Sequence, residues 1–262
     1  METLFVAKDA RLSREDSTLI VTPNAERKRR IPIAGLNHVI VAGEAQLTTA
    51  VLGLCGRGGV RVTALDWHGD VVGNFEPAGS PASGRVRLLQ SKLALEPASR
   101  LDLARRFVEG AARNIRANLG YCAYRGNEGV QGVMAAMEKV ADRRPQATAI
   151  DVLMGLEGQI RAFYYDAWPR IDPRLGFGAR CRRPPDNPIN CLISWFNGLA
   201  YALMRNELAK THLDDCVSFL HAPTEARSSL ALDLAEVFKP ALCDTLIFGI
   251  VLRNQLDNGW FH

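Results

Sequence analysis

The sequence predicts an α+β protein of two domains, an N-terminal, mainly β, sandwich-like domain and a C-terminal all-α domain. Three observations predict it. Short apolar runs separated by turn-forming residues fill the first third of the chain. A run of Pro, Gly, Ser and Ala follows at 77–84. Beyond it, apolar residues recur at three- and four-residue steps. The 262 residues are enough to bury a core in each part.

In the β part, residues 4–6, 19–21, 31–33 and 38–41 read as strands. Thr48 can cap a short helix that closes at Gly56. Residues 60–65 resume a strand, and Gly69 turns the chain into Val71 and Val72. This part holds no acid/base constellation, and His38 and His68 are read as structural. The segment PAGSPASG has no apolar period, which makes it a linker by composition. The chain is therefore divided into a β domain over 1–78, a linker over 79–86 and a helical domain over 87–262.

In the helical part, Leu101, Ala104, Val108, Ala112, Ile115 and Leu119 form one apolar stripe. A second helix covers 132–140. A third covers 149–168, with Leu153, Leu156, Ile160 and Phe163 on its buried face. Pro169, Pro173, Pro184, Pro185 and Pro188 then break the chain into an irregular loop. A fourth helix follows over 190–210, and a fifth starts near Ser228 or Ser229. Pro240 must kink or divide that last helix, because it has no backbone N–H to donate.

A hydrophobic content of 47% excludes wholesale disorder. No apolar stretch is long enough for a membrane span. The start, METLFVAKDA, lacks the basic region and apolar core of a signal peptide, so a cytoplasmic location is expected. Six scattered cysteines with no C-x-x-C pair read as reduced thiols rather than disulfides or a zinc cluster. The net charge of +4 is only mildly basic, but the arginines cluster. Arg27, Lys28, Arg29 and Arg30 are consecutive and read as a hairpin tip. Arg105, Arg106, Arg113 and Arg116 recur at helical spacing, and Arg180, Arg182 and Arg183 precede Pro184. Each could bind phosphate, although any one cluster taken alone is more simply a solvated face or a turn.

Glu157, His221 and Glu236 are the candidate site residues. Glu157 lies on or beside the apolar stripe of its helix, where an unpaired carboxylate is costly. At the edge of the core it either snorkels or pairs with Arg161, or else it binds a cation, and Gly155 and Gly158 leave room for close approach. Asp233, Glu236 and Lys239 fall at three-residue steps on one helix face, which also describes a solvent-facing stripe with a local ion pair. His221 sits at a helix entry, where many histidines are purely structural. Two carboxylates and an imidazole suit Mg²⁺ or Mn²⁺ with open positions better than structural zinc. If the three converge, metal-dependent phosphodiester chemistry is the first expectation.

Three segments in order carry a resemblance. LMGLEGQIRAFYY at 153–165, CRRPPDNPIN at 181–190 and HAPTEARSSLALDLAEVFKP at 221–240 resemble the glutamate motif, the Arg-Pro-Pro loop and the histidine/acid motif of the CRISPR-associated integrase family. The run RNIRAN from Arg113 to Asn118 resembles that family's basic helix. The resemblance covers essentially the whole chain, although Asn187 stands where the family usually has an acid. It implies Glu157, His221 and Glu236 as metal ligands for Mg²⁺ or Mn²⁺. It adds Asp233 as the neighbouring acid, Lys239 as a basic position near the DNA, and Arg182, Arg183, Arg113 and Arg116 as DNA contacts. It also implies further helical residues beyond His262.

The activity implied is that of a metal-dependent DNA endonuclease and integrase, which inserts spacers into CRISPR arrays by transesterification from a 3′-hydroxyl. Its implied partners are prespacer and repeat DNA, a second copy of the chain joined through the β domain, and a small ferredoxin-like CRISPR-associated adaptation protein. Two other classes fit the residues alone. One is a catalytically degenerate DNA-binding or assembly protein; the other is an unrelated metal-dependent phosphodiesterase acting on small substrates.

Overall fold

The computed structural model describes residues 2–7, 9–23, 27–78, 83–222, 228–257 and 259. It divides into two compact units, Met1–Ala82 with Arg205–His212, and Ser83–Met204 with Leu213–His262. Residues 205–212 thus fall with the N-terminal segment, although the sequence places them among the helices. Among the described residues, no helix is long and apolar enough to cross a membrane.

The first unit contains β1 (Glu2–Val6), β2 (Ala10–Glu15), β3 (Thr18–Pro23), β4 (Arg29–Pro32), β5 (Leu36–Val41), β6 (Ala45–Leu47), α1 (Thr49–Gly58), β7 (Arg61–Leu65) and β8 (Val71–Phe75). These strands form two four-stranded sheets, ordered β1-β5-β7-β8 and β4-β3-β2-β6. Strands β5 and β7 pair in parallel, and α1 makes the crossover that parallel pairing requires. Val6, Leu12, Leu19, Val21, Val39, Val41 and Val62, drawn from both sheets, close on Val51, Leu54 and Cys55 of α1. Thr48 does cap α1, accepting from the Val51 N–H at 3.4 Å, but the helix runs past Gly56 to a left-handed Gly59. The sequence does not announce β2 and β6. Strand β2 buries only Ala10 and Leu12 among polar neighbours, and β6 is three residues long. Strands β3 and β4 pair antiparallel; of the expected basic tip, Arg29 and Arg30 belong to β4 and only Arg27 and Lys28 precede it, while residues 24–26 lie outside the described residues.

The second unit is helical: α2 (Gly84–Leu95), α3 (Pro97–Tyr124), α4 (Gln131–Ala141), α5 (Ile150–Ile171), α6 (Pro188–Ala209, whose end from Arg205 falls with the first unit), α7 (Ser229–Lys239) and α8 (Thr245–Leu252). Helix α2 begins inside the expected linker, with the Ser83 hydroxyl accepting from the Val86 N–H; residues 79–82 are outside the described ones. Pro169 does not end α5, which continues to Ile171. The fully buried Trp168 explains why. Its ring meets Tyr164, Tyr165, Phe177 and Phe248 edge-on, with centroids 4.9–5.7 Å apart, and this contact holds the last turn in place. Pro240 divides the last helix as expected. Helix α7 stops at Lys239, a π-helical turn occupies Pro240–Asp244, and α8 resumes at Thr245. Wider turns and a missing N–H leave helical carbonyls without their usual donors. Two asparagines on α3 supply replacements: Asn114 Nδ2 donates to Val237 O at 2.7 Å, and Asn118 Nδ2 donates to Pro240 O at 2.6 Å.

Candidate active site on the helical unit

Helix α5 buries Leu153, Leu156, Ile160 and Tyr164 on one side. Glu157 and Arg161, one turn apart, lie at the edge of that stripe and are half-buried. Helix α7 has a narrower polar edge. Asp233, Glu236 and Lys239 share a face, as their spacing predicts, but they do different things.

Asp233 is fully buried. One of its oxygens accepts from the Phe219 and Leu220 N–H groups at 2.8 and 2.9 Å. The other accepts from the His221 N–H at 3.0 Å and faces His221 Nδ1 at 2.7 Å. A carboxylate can only accept, so Nδ1 carries a proton and, in the neutral ring, Nε2 bears the outward lone pair. Asp233, and secondarily the charge of Glu236, raises the His221 imidazole above its ordinary value against the opposing effect of burial.

The segment carrying His221 is irregular yet tied down from several sides. Gln90 of α2 donates to Asp214 O and Val217 O, each at 2.8 Å, and accepts from the Asp214 N–H. Arg100 of α3 donates to Phe219 O at 2.8 Å. Ser229, at the start of α7, donates to Cys216 O at 2.7 Å. Sequence reasoning missed Gln90 and Arg100, because an isolated polar residue on a helix carries no sign of a distant carbonyl. Residues 223–227 of the histidine/acid motif lie outside the described residues.

Glu236 has both oxygens engaged. Lys239 Nζ lies 2.5 Å from Oε1, and Arg161 Nη2 lies 2.6 Å from Oε2. Burial alone would push the Glu236 carboxyl up, but Lys239 and then Arg161 hold it down at about 2. Lys239 also donates to the Tyr201 hydroxyl at 2.5 Å. Burial raises the Glu157 carboxyl; Arg161, 3.6 Å away, opposes that shift, and Glu236 adds to it. Beneath them, burial pushes the carboxyl of Asp244 up to about 6, and its Oδ2 has no hydrogen-bond partner among the described residues.

The three expected metal ligands therefore share one charge environment, with Glu157 on α5, Glu236 on α7 and His221 just before α7. Their donor atoms do not all fall within 4.8 Å of one another, and the Glu236 carboxylate is held by Arg161 and Lys239. Among the described residues, the set that does meet this distance is Asp214, Asp215 and Cys216 on the loop before His221. The donor chemistry nevertheless fits a divalent cation. Glu236 has no proton to lose, and His221 has the backing carboxylate and outward nitrogen typical of a metal-bound imidazole.

The expected DNA contacts divide. Arg182 and Arg183 are exposed on the loop before α6. Asn187 there accepts from the Asn190 N–H at 2.9 Å, so it caps α6 where an acid was expected. Arg180, grouped with them in the sequence, instead turns inward to Asn190 Oδ1 and Ser194 Oγ at 3.0 and 2.8 Å. Arg113 and Arg116 lie off the face of α3 that meets α7, and they pair with Glu109 and Glu138 at 3.0 and 3.1 Å.

The family model for CRISPR associated protein Cas1 matches residues 4–262. The chain is 36% identical over 261 residues to the CRISPR-associated endonuclease Cas1 2 of Moorella thermoacetica, covering 100% of this chain and 79% of that one. Among solved structures, a CAS1 protein from Thermotoga maritima is 27% identical and superposes with a TM-score of 0.85, covering 98% of this chain and 81% of that one. A casposase bound to its integration product also gives a TM-score of 0.85, over 99% of this chain and 75% of that one. At 18% identity, that last likeness is one of fold.

Proposed function

The chain belongs to the CRISPR associated protein Cas1 family, and from that premise we propose that it is a divalent-metal-dependent DNA endonuclease and integrase that inserts spacers into CRISPR arrays. The observation that supports the reading best is His221. Its Nδ1 is fixed by a fully buried Asp233, and its outward Nε2 shares a charge environment with Glu157 and Glu236. The relatives named as endonucleases lend the activity class.

In this reading Glu157, His221 and Glu236 hold Mg²⁺ or Mn²⁺, which would offset charge on the phosphodiester oxygens and orient the reacting groups. Asp233 is a positioning residue, since it fixes the His221 tautomer and the backbone of 219–221 without facing outward. Lys239, with Tyr201, keeps Glu236 ionised and brings a positive charge beside the reacting phosphate. The 3′-hydroxyl of the incoming DNA loses its proton and attacks a phosphorus of the array; the new P–O bond replaces the one to the departing 3′-oxygen, which takes up a proton. With water as the attacking group, the same balance gives cleavage. Arg182 and Arg183 grip flanking phosphates. The family resemblance extends the proposal to a homodimer built through the β domain and to a small ferredoxin-like adaptation partner.

A strand-transfer assay with a short duplex and a repeat-containing target tests this. Wild-type protein should form branched product with Mn²⁺ or Mg²⁺ and none in EDTA. His221→Ala should lose product by at least about a hundredfold at unchanged circular dichroism. A fully active His221→Ala would sink the site. DNA binding with no metal-dependent cleavage by the wild type would favour the degenerate, assembly-only reading, which the engaged oxygens of Glu236 keep in view.

A further inference from the structure

Arg161 holds a position that the reaction described above does not explain. Its guanidinium bridges the two carboxylates of the candidate site, with Nε 3.6 Å from Glu157 Oε1 and Nη2 2.6 Å from Glu236 Oε2. All three side chains are largely buried, with 13% of Arg161, 24% of Glu157 and 17% of Glu236 exposed. The second oxygen of Glu236 is taken by Lys239, whose side chain is only 8% exposed. Two carboxylates brought together in a poorly solvated place repel each other unless a cation stands between them. In this structure that cation is Arg161, supplied by the same helix as Glu157.

We propose that Arg161 is a resident counter-ion that competes with the divalent cation for Glu157 and Glu236, so that metal binding and release of the guanidinium are coupled. The inference rests on the metal-site reading given above and adds its regulation. A divalent ion drawn to Glu236 Oε2 meets a fixed positive charge already in hydrogen-bond contact with that oxygen. The two cations repel, so the metal binds only as Arg161 gives way. A released guanidinium presents a planar fork of donors beside the site, the form that grips a phosphate. A DNA phosphate that receives it would then raise metal affinity, because coupling between two ligands is reciprocal. Arg161 thereby makes the site reluctant to load metal before DNA arrives.

The test is Mn²⁺ affinity, read by electron paramagnetic resonance on metal-free protein, for the wild type, Arg161→Gln, Arg161→Lys and His221→Ala. Arg161→Gln, which removes the charge, should bind Mn²⁺ about tenfold more tightly or better. Arg161→Lys, which keeps the charge, should stay within about threefold of wild type. Equal or weaker binding by Arg161→Gln would overturn the proposal, since the guanidinium would then be organising the carboxylates rather than competing for them. Should Arg161→Gln not fold, wild-type protein with ¹⁵N-labelled arginine decides, with Arg161→Lys assigning the resonance. Saturating Mg²⁺ should shift the Arg161 Nε signal, and an unmoved signal would sink the idea. If neither wild type nor Arg161→Gln binds Mn²⁺, or if His221→Ala binds as wild type does, the metal-site reading fails and takes this inference with it. If His221→Ala is weakened and Arg161→Gln is unchanged, the competition alone is refuted.

Discussion

Asp233 and Asp244 are both buried carboxyls on the α7–α8 stretch, and their surroundings give them opposite characters. Asp233 accepts from three backbone N–H groups and faces an imidazole, so its charge is fully met. Asp244 has an orphan oxygen, and its carboxyl, ordinarily at 3.8, is pushed up to about 6 by burial. An acid raised in this way binds more protons folded than unfolded between those two values. Its contribution therefore weakens stability as pH rises through that window and levels off above it. Asp244→Asn does not titrate, so its stability relative to wild type should improve from pH 4 to pH 7, by on the order of 2 kcal/mol. Urea unfolding at the two pH values measures this, and a gap that does not change with pH would be the contrary result. Glu236 behaves in the opposite sense. Its carboxyl lies at about 2 against an ordinary 4.5, so its contribution is present above the ordinary value and is lost as pH falls toward 2. His38, by contrast, is fully buried on β5 beside Thr63 Oγ1 at 2.8 Å; burial and then Arg61 lower it to about 4, which fits its structural reading.

Helix α5 shows how an element can be read correctly in outline and incompletely in detail. Its apolar stripe was legible because Leu153, Leu156 and Ile160 repeat at helical spacing, and they are buried as that pattern requires. What the pattern could not give is the partner of Arg161, which lies on another helix seventy-five positions on. Nor could it show that Trp168 would carry the helix through Pro169. Gly155 and Gly158, read in the sequence as room for close approach, are exposed, and a Cβ at either would meet nothing within 4 Å. Glycine in an exposed helix interior costs about 1 kcal/mol relative to alanine. The Gly155→Ala/Gly158→Ala protein should therefore be more stable by roughly 2 kcal/mol in thermal unfolding. If strand transfer falls while stability rises, that open face belongs to the substrate.

Over the whole chain the net charge is only +4, so the proposed DNA binding must draw on where the cations stand rather than on how many there are. Arg113 and Arg116 are exposed, and their pairs with Glu109 and Glu138 are of the weak surface kind. If both contact phosphate, replacing both with alanine should lower the slope of log affinity against log salt by roughly 1.8. An unchanged slope would remove the α3 basic face from the DNA path and leave the loop of Arg182 and Arg183 as the candidate. The fold class and the acid/histidine residues were legible because they rest on local periodicity and three long motifs. The cations that neutralise the acids were not, because ion pairs between helices depend on tertiary approach, which spacing along one helix does not encode. The same holds for the join between α3 and α7, described above through its two asparagines. A Cβ on Gly110 would lie 3.0 Å from Val237, so the helices touch there as well as at the carbonyls of Val237 and Pro240. Three points, spaced one turn apart along α3, fix the phase of one helix against the other. A single-residue insertion or deletion between Gly110 and Asn114 would swing both amides off their acceptors, and one between Asn114 and Asn118 would swing the second away from the first. Apart from those three residues, this stretch can drift in side-chain identity but not in length, and alignments of related chains should cross it without a gap.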